Sequence, residues 1–441
     1  MKRFIQTLKN IWSIDELRIR ILNTLGFLII FRLGSFVTLP GVDPAQLASE
    51  AEGIFGLLNS LLGGAFLKAS IFGLGIMPYI SASIVIQLMT VAVPTFQKMQ
   101  KEGDSGRKKM NQITRVLTIF ICLAQSFGYV SATIPAAAVV IENEFFFKAT
   151  SMVILTSGTI FCMWLGEKIT DKGIGNGISM LIMIGIISRF PASIIEEAIS
   201  RGMSQALIFI IEMVALFFVV LVTVALTQAT RRIPVQYAKQ VVGNKVYGGQ
   251  RQYIPLKVNS AGVMPIIFAQ SLMFLPSMIA GYWADSSDTA NYIATTFSQI
   301  ESWPYNVAFA ILIILFTFFY TAITINPSQI ADDMKRNGGF IPGVKPGKQT
   351  SEFIDNVLSK ITLPGSVFLA IIAILPAFAI IAGVSRGFAT FYGGTSLLIM
   401  VGVILDTLQQ IESYLLMRHY EGMMKSGKVK GRTGGANAAV A

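Results

Sequence analysis

Charged residues are scarce in this chain. Only 13% of its 441 residues are Asp, Glu, Lys or Arg, whereas a soluble domain usually carries about 25%. Apolar residues make up 53% of the chain. They gather in runs of roughly 18–22 residues, which is the length that a helix needs to cross about 30 Å of hydrocarbon. Because backbone groups in lipid must be satisfied internally, the runs are expected to be helical. The composition therefore predicts an all-α polytopic membrane protein with no soluble core.

Residues that carry enzyme or metal chemistry are also scarce. The two cysteines, Cys122 and Cys162, lie inside apolar runs, where they are expected to be small packing residues. The only histidine, His419, is close to the C-terminus, and no metal-ligand spacing exists. The sequence contains no phosphate-binding glycine loop, nucleophile elbow or zinc motif. We therefore expect no enzyme activity, no metal and no cofactor.

The apolar runs predict ten transmembrane helices. The first run is too long for a cleavable signal peptide, and no small-residue cleavage site follows it. The second run contains Pro78, and the fourth is short. The ten runs are Ile21–Thr38, Phe72–Val93, Ile113–Val130, Ser151–Leu165, Ile174–Phe190, Ala206–Leu226, Ala261–Tyr282, Val307–Ile325, Leu363–Ala382 and Ser396–Met417.

The distribution of basic residues predicts the orientation. With the N-terminus in the cytoplasm, 29 of the 35 Lys and Arg fall in cytoplasmic segments and 6 on the opposite side. This asymmetry predicts that both termini are cytoplasmic. It also accounts for the net charge of +11 without nucleic-acid binding. Residues 1–20 form an amphipathic segment expected to lie on the cytoplasmic membrane face, and residues 418–441 form a basic cytoplasmic tail.

Two connections, residues 227–260 and 326–362, are much longer than the others and lie on the cytoplasmic side. In the first, two β-prone runs flank Gly248-Gly249 and predict a β-hairpin. In the second, Pro and Gly between residues 337 and 347 predict a compact turn around Lys345. Two interpretations remain open. The loops are either solvated basic connections or a docking surface for a large soluble partner, and their length favours docking.

A short pattern occurs in both the second and the seventh run. Gly75-Ile76-Met77-Pro78 and Gly262-Val263-Met264-Pro265 share a glycine, a β-branched residue and Met-Pro. The two runs are equivalent if the chain consists of two five-helix halves, and they cross the membrane in opposite directions. This is typical of an inverted repeat, in which interrupted helices face a central pathway. Chance similarity between apolar segments is the alternative.

The segment Asn59–Lys68, directly before the second run, is too polar and too short to cross the membrane. It is rich in small residues and lies on the outer side. It is interpreted either as a re-entrant half helix or as a helix on the outer membrane surface.

Several segments are similar to one known family. The sequence resembles the SecY family, the channel subunits of the bacterial protein-conducting translocon, over nearly its whole length. The segments that carry the resemblance are Gly75–Gln87, Gly173–Ser179, Arg231–Pro265, Phe340–Thr350 and Gly393–Ser396.

The resemblance implies ten helices in two inverted halves, residues 21–200 and 201–417, which form a clamshell around a central pore. It also implies that a ring of apolar side chains narrows the pore. Stiff β-branched side chains suit such a gasket, and a small apolar constriction excludes water and ions. The alternative is ordinary helix packing. Ile80 and Ile267 hold equivalent places in the repeat, which supports the ring independently. The six ring positions are Ile76, Ile80, Ile178, Ile182, Ile267 and Ile399.

The resemblance further implies a plug within Asn59–Gly73 that closes the outer funnel. The plug residues are Asn59, Leu61, Leu62, Gly63, Gly64, Phe66, Ile71 and Phe72. It also implies a lateral gate of the second, third, seventh and eighth helices, through which signal peptides and nascent spans reach membrane lipids. Polar residues on these helices are expected to hold the gate weakly shut. They are Ser81, Ser83, Gln87, Gln125 and Gln270.

The two long loops are implied to dock the motor ATPase SecA and the ribosome, which drive unfolded preproteins through the pore. Family members also pair with the small membrane subunits SecE and SecG, in the bacterial inner membrane. Lys345 stands where the family usually has arginine, which keeps the charge but loses the planar fork. The implied docking residues are Arg231, Arg232, Lys239, Lys245, Arg251, Lys257 and Lys345.

A secondary transporter of a small solute is the alternative function. Such proteins couple transport to ions through buried charges. Charges inside the predicted runs are few, among them Arg32, Glu212 and Asp406, and each of these three is expected near a membrane edge. A ring of isoleucines also offers a polar solute no binding groups. The sequence therefore favours a passive, gated polypeptide channel whose energy comes from a partner.

Overall fold

Long helices dominate the computed structural model, which describes residues 11–47, 59, 62–237, 240–242, 245–247, 251–281 and 288–425. The helices are α1 (Asp15–Gly34), α2 (Met77–Ala92), α3 (Pro94–Lys101), α4 (Asp104–Thr133), α5 (Glu144–Lys172), α6 (Gly177–Arg201), α7 (Ala206–Gln228), α8 (Met264–Gly281), α9 (Asp288–Ser298), α10 (Trp303–Thr324), α11 (Pro327–Arg336), α12 (Lys348–Ile381), α13 (Arg386–Ala389) and α14 (Gly394–Lys425).

Each of the ten predicted runs overlaps one of the long helices. In the described part of the chain, seven helices are long and apolar enough to cross a membrane, namely α4, α5, α6, α7, α10, α12 and α14. The pair α2 and α3, which is bent by 102° at its break, makes an eighth candidate. The chain is therefore a multi-pass membrane protein.

The repeated Gly-X-Met-Pro pattern begins a helix in both places. Gly75 and Gly262 have positive φ angles of 51° and 65°, which disfavour any residue with a side chain. Helices α2 and α8 then start at the methionine, so each proline occupies the second helical position. Proline is tolerated there because the first turn has N–H groups without intrahelical acceptors. Pro78 and Pro265 therefore initiate their helices, and the predicted runs are interrupted before them, where the backbone forms turns.

The first long loop forms strands. Strand β1 (Thr230–Tyr237) pairs antiparallel with β4 (Arg251–Lys257), with Ile233 opposite Ile254, while β2 (Gln240–Val242) pairs with β3 (Lys245–Tyr247). The predicted hairpin turn at Gly248-Gly249 lies outside the described residues, and in the described sheets β3 and β4 do not pair with each other. A Gly-Asn pair, residues 243–244, is the two-residue connection between β2 and β3. Gly-Asn is also a hairpin signal, and residues 243–244, like residues 248–250, lie outside the described residues.

The two long loops, which the sequence predicts to be cytoplasmic, fold together as one unit, which we call the cytoplasmic unit after that prediction. Strand β5 (Gly339–Phe340), from the second loop, pairs antiparallel with the end of β1 and completes a sheet in the order β4-β1-β5. Much of the second predicted loop is helical, since α11 precedes β5 and α12 begins at Lys348. The side chains that form the buried core of the unit are Ile233, Val235, Leu256, Met334, Ile341, Ile354 and Leu358.

Helices α1 and α14 meet near the start of α6. Leu17, on the first turn of α1, is buried with Ile14 and Ile174, and Ile411 and Tyr414 of α14 pack against them. Helix α14 continues to Lys425, beyond the predicted end of the tenth run. Residues 1–10 of the predicted amphipathic segment 1–20, and residues 426–441 of the basic tail, lie outside the described residues.

One large apolar cluster contains residues from both predicted halves. It combines Leu28, Ile80 and Leu181 with Leu216 and Phe388, among others. The halves therefore share a continuous buried core, and the candidate site lies within it.

Candidate functional site

A small cavity within this cluster brings most of the predicted ring together. Its volume is about 30 Å³. A water molecule needs roughly 10–15 Å³ of such space, so the cavity has room for no more than a few waters. Five of the six predicted isoleucines line it, whereas Ile178 packs against the surrounding cluster without lining it. The lining residues are Phe31, Leu62, Ile76, Met77, Ile80, Leu181, Ile182, Ile267, Gln270 and Ile399.

These isoleucines lie at or near the starts of four helices. Ile76 is the N-cap residue of α2 and Ile80 lies in its first turn, while Ile267 lies in the first turn of α8. Ile182 and Ile399 lie in the second turns of α6 and α14. Four helices therefore begin close to the cavity. Sequence reasoning missed Phe31, Met77 and Leu181, because apolar residues inside a run look alike until the helices are packed.

The glycine-rich segment before α6 is held tightly. Asn176 caps the helix, and its Oδ1 accepts from the N–H of Ile178 at 3.1 Å. Gly177 lies so close to α5 that a Cβ there would be 1.9 Å from the carbonyl oxygen of Gly166. The N–H of Gly175 donates to Gln410 Oε1 of α14 at 2.8 Å. These contacts fix the first turns of α6, and therefore Ile182, against two other helices.

The predicted plug segment folds back to the cavity. Over residues 62–74 it forms successive turns, so the interpretations as a re-entrant or surface helix are wrong for this part of the chain. Positive φ angles at Gly63 (64°) and Gly64 (90°) are incompatible with a continuing helix. Leu62 lines the cavity, and the side chains of Phe66 and Phe72 are buried.

Several contacts hold this segment in place. The Oδ1 of Asn59 accepts from the N–H of Leu67 at 3.1 Å. Phe72 stacks between Phe31 and Phe161, with ring centroids 5.9 and 5.8 Å away. Ile71 is half-buried, and its N–H donates to the carbonyl of Val37 at 2.9 Å. Leu61 lies outside the described residues.

The predicted gate residues do not form one row. Gln270 is half-buried and lines the cavity. Ser81 donates to the carbonyl of Met77 in its own helix, at 3.1 Å. Gln87 Nε2 donates to Ser83 Oγ at 3.4 Å, and its buried Oε1 has no hydrogen-bond partner. Gln125 is exposed on α4. Only the Ser83–Gln87 contact joins two of the five side chains among the described hydrogen bonds.

The predicted docking residues that can be placed lie on the cytoplasmic unit. Arg231 and Arg232 are exposed on β1, and Lys257 is exposed at the end of β4. Lys345 is exposed on the turn before α12, and its carbonyl accepts from Thr350 Oγ1 at 2.9 Å. The side chains of Lys239, Lys245 and Arg251 lie outside the described residues.

A buried ionic cluster lies at the junction between the predicted halves. Arg201, at the end of α6, donates from Nε to Glu197 at 2.9 Å and from Nη2 to Glu212 of α7 at 2.5 Å. Nη2 also donates to the carbonyl of Gly383 at 2.6 Å. Glu212, one of the few charges inside the predicted runs, is therefore paired and buried. Its partner was not predictable, because no local spacing links residues 201 and 212.

The described residues contain no group of three or more His, Cys, Asp or Glu that is placed to hold a metal. Cys122 and Cys162 are free and fully buried. The Sγ atom of Cys122 donates to Thr159 Oγ1 at 3.4 Å within the contact between α4 and α5.

Comparisons with known proteins point to one family and one fold. The model of the SecY family matches residues 70–408. The protein translocase subunit SecY of Streptomyces coelicolor is 42% identical over 431 residues, which cover 93% of this chain and 97% of the relative. A solved protein-conducting channel shares the fold with a TM-score of 0.66 at 16% identity, covering 90% of this chain and 92% of that one. Sec61 in the canine ribosome-channel complex shares it with a TM-score of 0.62 at 15% identity, with the same coverage.

Proposed function

The chain belongs to the SecY family of protein translocase subunits, and we propose that its cavity of isoleucines is the seal of the translocation pore. The resemblance inferred from the sequence is thus confirmed, and the chain is a subunit of a protein-conducting channel. The alternative, a secondary transporter, is not favoured. The observation that carries the proposal is that Ile76, Ile80, Ile182, Ile267 and Ile399 meet around one small cavity. Such an apolar constriction excludes water and ions by dewetting.

The experiment on the seal replaces Ile399 with Asn, which is polar and of similar size. A wet constriction should raise the resting ion conductance of the channel in planar bilayers. It should also raise export of a substrate with a defective signal sequence, because the ring would discriminate less between signals. Ile399→Leu is the matched control, since it changes the shape but keeps the site apolar. If Ile399→Asn and Ile399→Leu had the same resting conductance and the same export as each other, Ile399 would belong to ordinary helix packing.

The clamshell of two inverted five-helix halves is part of the proposal. The equivalent helix starts at Gly75 and Gly262 support it, as does the apolar cluster that unites α2 and α6 with α8 and α14. Three of the ten helices, α1, α2 and α8, do not individually meet the length and hydropathy criterion for a span within the described residues. In the proposed channel they complete the walls, and α2, α4, α8 and α10 form the lateral gate.

The plug is assigned to residues 59–73. Leu62 reaches the cavity and therefore fills it from one side, while Phe66 and Phe72 anchor the segment in buried apolar surroundings. Withdrawal of Leu62 would enlarge the cavity. The polar residues Ser83, Gln87 and Gln270 are assigned to the gate, where signal peptides and nascent helices would exchange with lipid.

The cytoplasmic unit is proposed as the docking surface for SecA or the ribosome. It exposes Arg231, Arg232, Lys257 and Lys345 on a folded sheet with its own buried core. The ribosome-bound canine relative has the same overall fold, which supports such docking. SecE and SecG are proposed as small membrane partners. The excess of 29 over 6 basic residues supports cytoplasmic termini in the bacterial inner membrane.

A further inference from the structure

Tyr129 joins helix α4 to the plug segment. The residue lies near the C-terminal end of α4 and is only 5% exposed. Its hydroxyl donates a hydrogen bond to the carbonyl of Phe66. Its ring also meets the ring of Phe66 edge-on, with centroids 4.8 Å apart and an interplanar angle of 66°. One side chain of α4 therefore contacts both the backbone and the side chain of the plug.

The same hydroxyl faces a second point on the segment. A Cβ at Gly73 would lie 2.9 Å from Tyr129 Oη and 3.0 Å from the carbonyl oxygen of Ser70. The absence of a side chain at Gly73 thus lets the chain pass the phenol closely. Because Phe66 and Gly73 lie on either side of the turn at Ala69, the phenol is enclosed by both arms of the segment.

Other contacts tie the plug to the part of the chain that precedes it. The N–H of Leu39 donates to the carbonyl of Ala69 at 2.8 Å. Arg32 Nη1 donates to the carbonyl of Gly63 at 3.4 Å. These contacts involve α1 and the strand-like segment after it. The contact of Tyr129 differs, because it comes from α4, the helix that also packs against α2.

We propose that Tyr129 couples movement of α4 to release of the plug. This inference rests on the proposed function, in which α4 belongs to the lateral gate and residues 59–73 form the plug. When α4 shifts to open the gate, the hydroxyl leaves the Phe66 carbonyl, and the plug loses a hydrogen bond and an aromatic contact together. Tyr129 is thus a positioning residue: it lies outside the cavity and acts on Leu62 through the plug backbone.

Tyr129→Phe is the direct test, because it removes the hydroxyl and keeps the ring. A buried hydrogen bond of ordinary net strength corresponds to roughly a two- to tenfold change in an equilibrium. The resting conductance of the purified channel complex is proportional to the fraction of channels whose plug is displaced. It should therefore rise by about that factor. A signal peptide added to the bilayer should then increase conductance by a smaller ratio than in the parent, because part of the coupling is already lost.

Tyr392→Phe is the matched control. Tyr392 is also buried, and its hydroxyl also donates to a backbone carbonyl, that of Glu212, at 2.6 Å. A general loss of stability would affect both variants alike. Only Tyr129→Phe should change the ratio of peptide-stimulated to resting conductance.

A second variant changes the plug side of the same contact. Gly73→Ala places a methyl group against the Tyr129 hydroxyl, so it should raise resting conductance in the same direction. In the Tyr129→Phe background the added effect should be clearly smaller, since the hydroxyl is no longer there to be displaced. Fully multiplicative effects would refute a shared contact.

Deletion of residues 62–72 distinguishes a failure of the plug assignment from a failure of the proposed coupling through Tyr129. A deletion that leaves conductance unchanged would overturn the plug assignment itself. A deletion that raises conductance, together with parental values for Tyr129→Phe in both resting and stimulated channels, would overturn the coupling alone. We expect the resting conductance to rise in both the deletion variant and Tyr129→Phe, with the larger increase in the deletion variant.

Discussion

Loss of Arg201 should destabilise the channel far more than loss of an exposed arginine on the same side of the membrane. The side chain of Arg201 is 14% exposed, and its partners Glu197 and Glu212 are 1% and 9% exposed. Arg201→Gln removes the cation from two buried carboxylates. Two charge-assisted hydrogen bonds at about 1.5–3 kcal/mol each give a loss of roughly 3–6 kcal/mol. Breaking a buried ion pair by removing one partner costs about 3–5 kcal/mol, which agrees.

The control is Arg386→Gln. Arg386 pairs with Glu301 at 3.1 Å, but their side chains are 55% and 37% exposed. An exposed pair contributes about 0–1 kcal/mol. Arg201→Lys should fall between the two, because lysine keeps the charge but cannot hold both carboxylates with a planar fork. Glu212→Gln should cost less than Arg201→Gln, since it leaves one guanidinium facing one carboxylate.

Thermal exposure of the buried thiols provides the assay. Cys122 and Cys162 are both free and buried, so a thiol-reactive dye reports unfolding of the detergent-solubilised protein without further labelling. Arg201→Gln should lose its protected thiols at a clearly lower temperature than Arg386→Gln. Equal melting of these two variants would refute the argument, and the cluster would then have to be solvated in the membrane interface.

Two further predictions follow from the described contacts. Lys345→Glu should abolish SecA-driven transport into vesicles while Lys345→Arg is tolerated, because the side chain is exposed and only its backbone carbonyl holds Thr350; near-parental transport by the glutamate variant would argue for a solvated loop. Asn176→Ala should lower stability by about 1 kcal/mol through loss of the α6 cap, measured by the same thiol exposure, and an unchanged melting curve would mean that the glycine-rich contacts alone hold the start of α6.

The sequence allowed the helices to be predicted but not their exact starts. Each apolar run produced a helix because run length is a local property, set by the thickness of the bilayer. Helix starts depended on single residues such as Gly75, where a positive φ delays α2 until Met77. Pairings between segments far apart in the sequence were the hardest to predict. Strand β5 joins β1 across about a hundred residues, and the Arg201 cluster joins three segments that no local spacing connects.

The site was predictable to the extent that the family pattern covers it. Five ring isoleucines meet at the cavity, whereas Phe31 and Leu181 were missed, since neither differs in kind from its apolar neighbours. The gate residues stay a prediction as a group, since only Ser83 and Gln87 contact each other among the described hydrogen bonds. Their selection rested on polarity alone, and a serine in a helix often bonds to its own backbone, as Ser81 does.

Helix α12 connects the docking surface with the channel core. Ile354 and Leu358, in its first turns, belong to the buried core of the cytoplasmic unit, and Ala379, near its end, belongs to the central cluster around the cavity. The 34 residues between Lys348 and Ile381 form one uninterrupted helix in spite of Pro364 and Pro376. At about 1.5 Å per residue it extends roughly 50 Å. In the proposed channel, a partner bound at Lys345 would therefore contact a unit whose core shares a single helix with the walls of the pore.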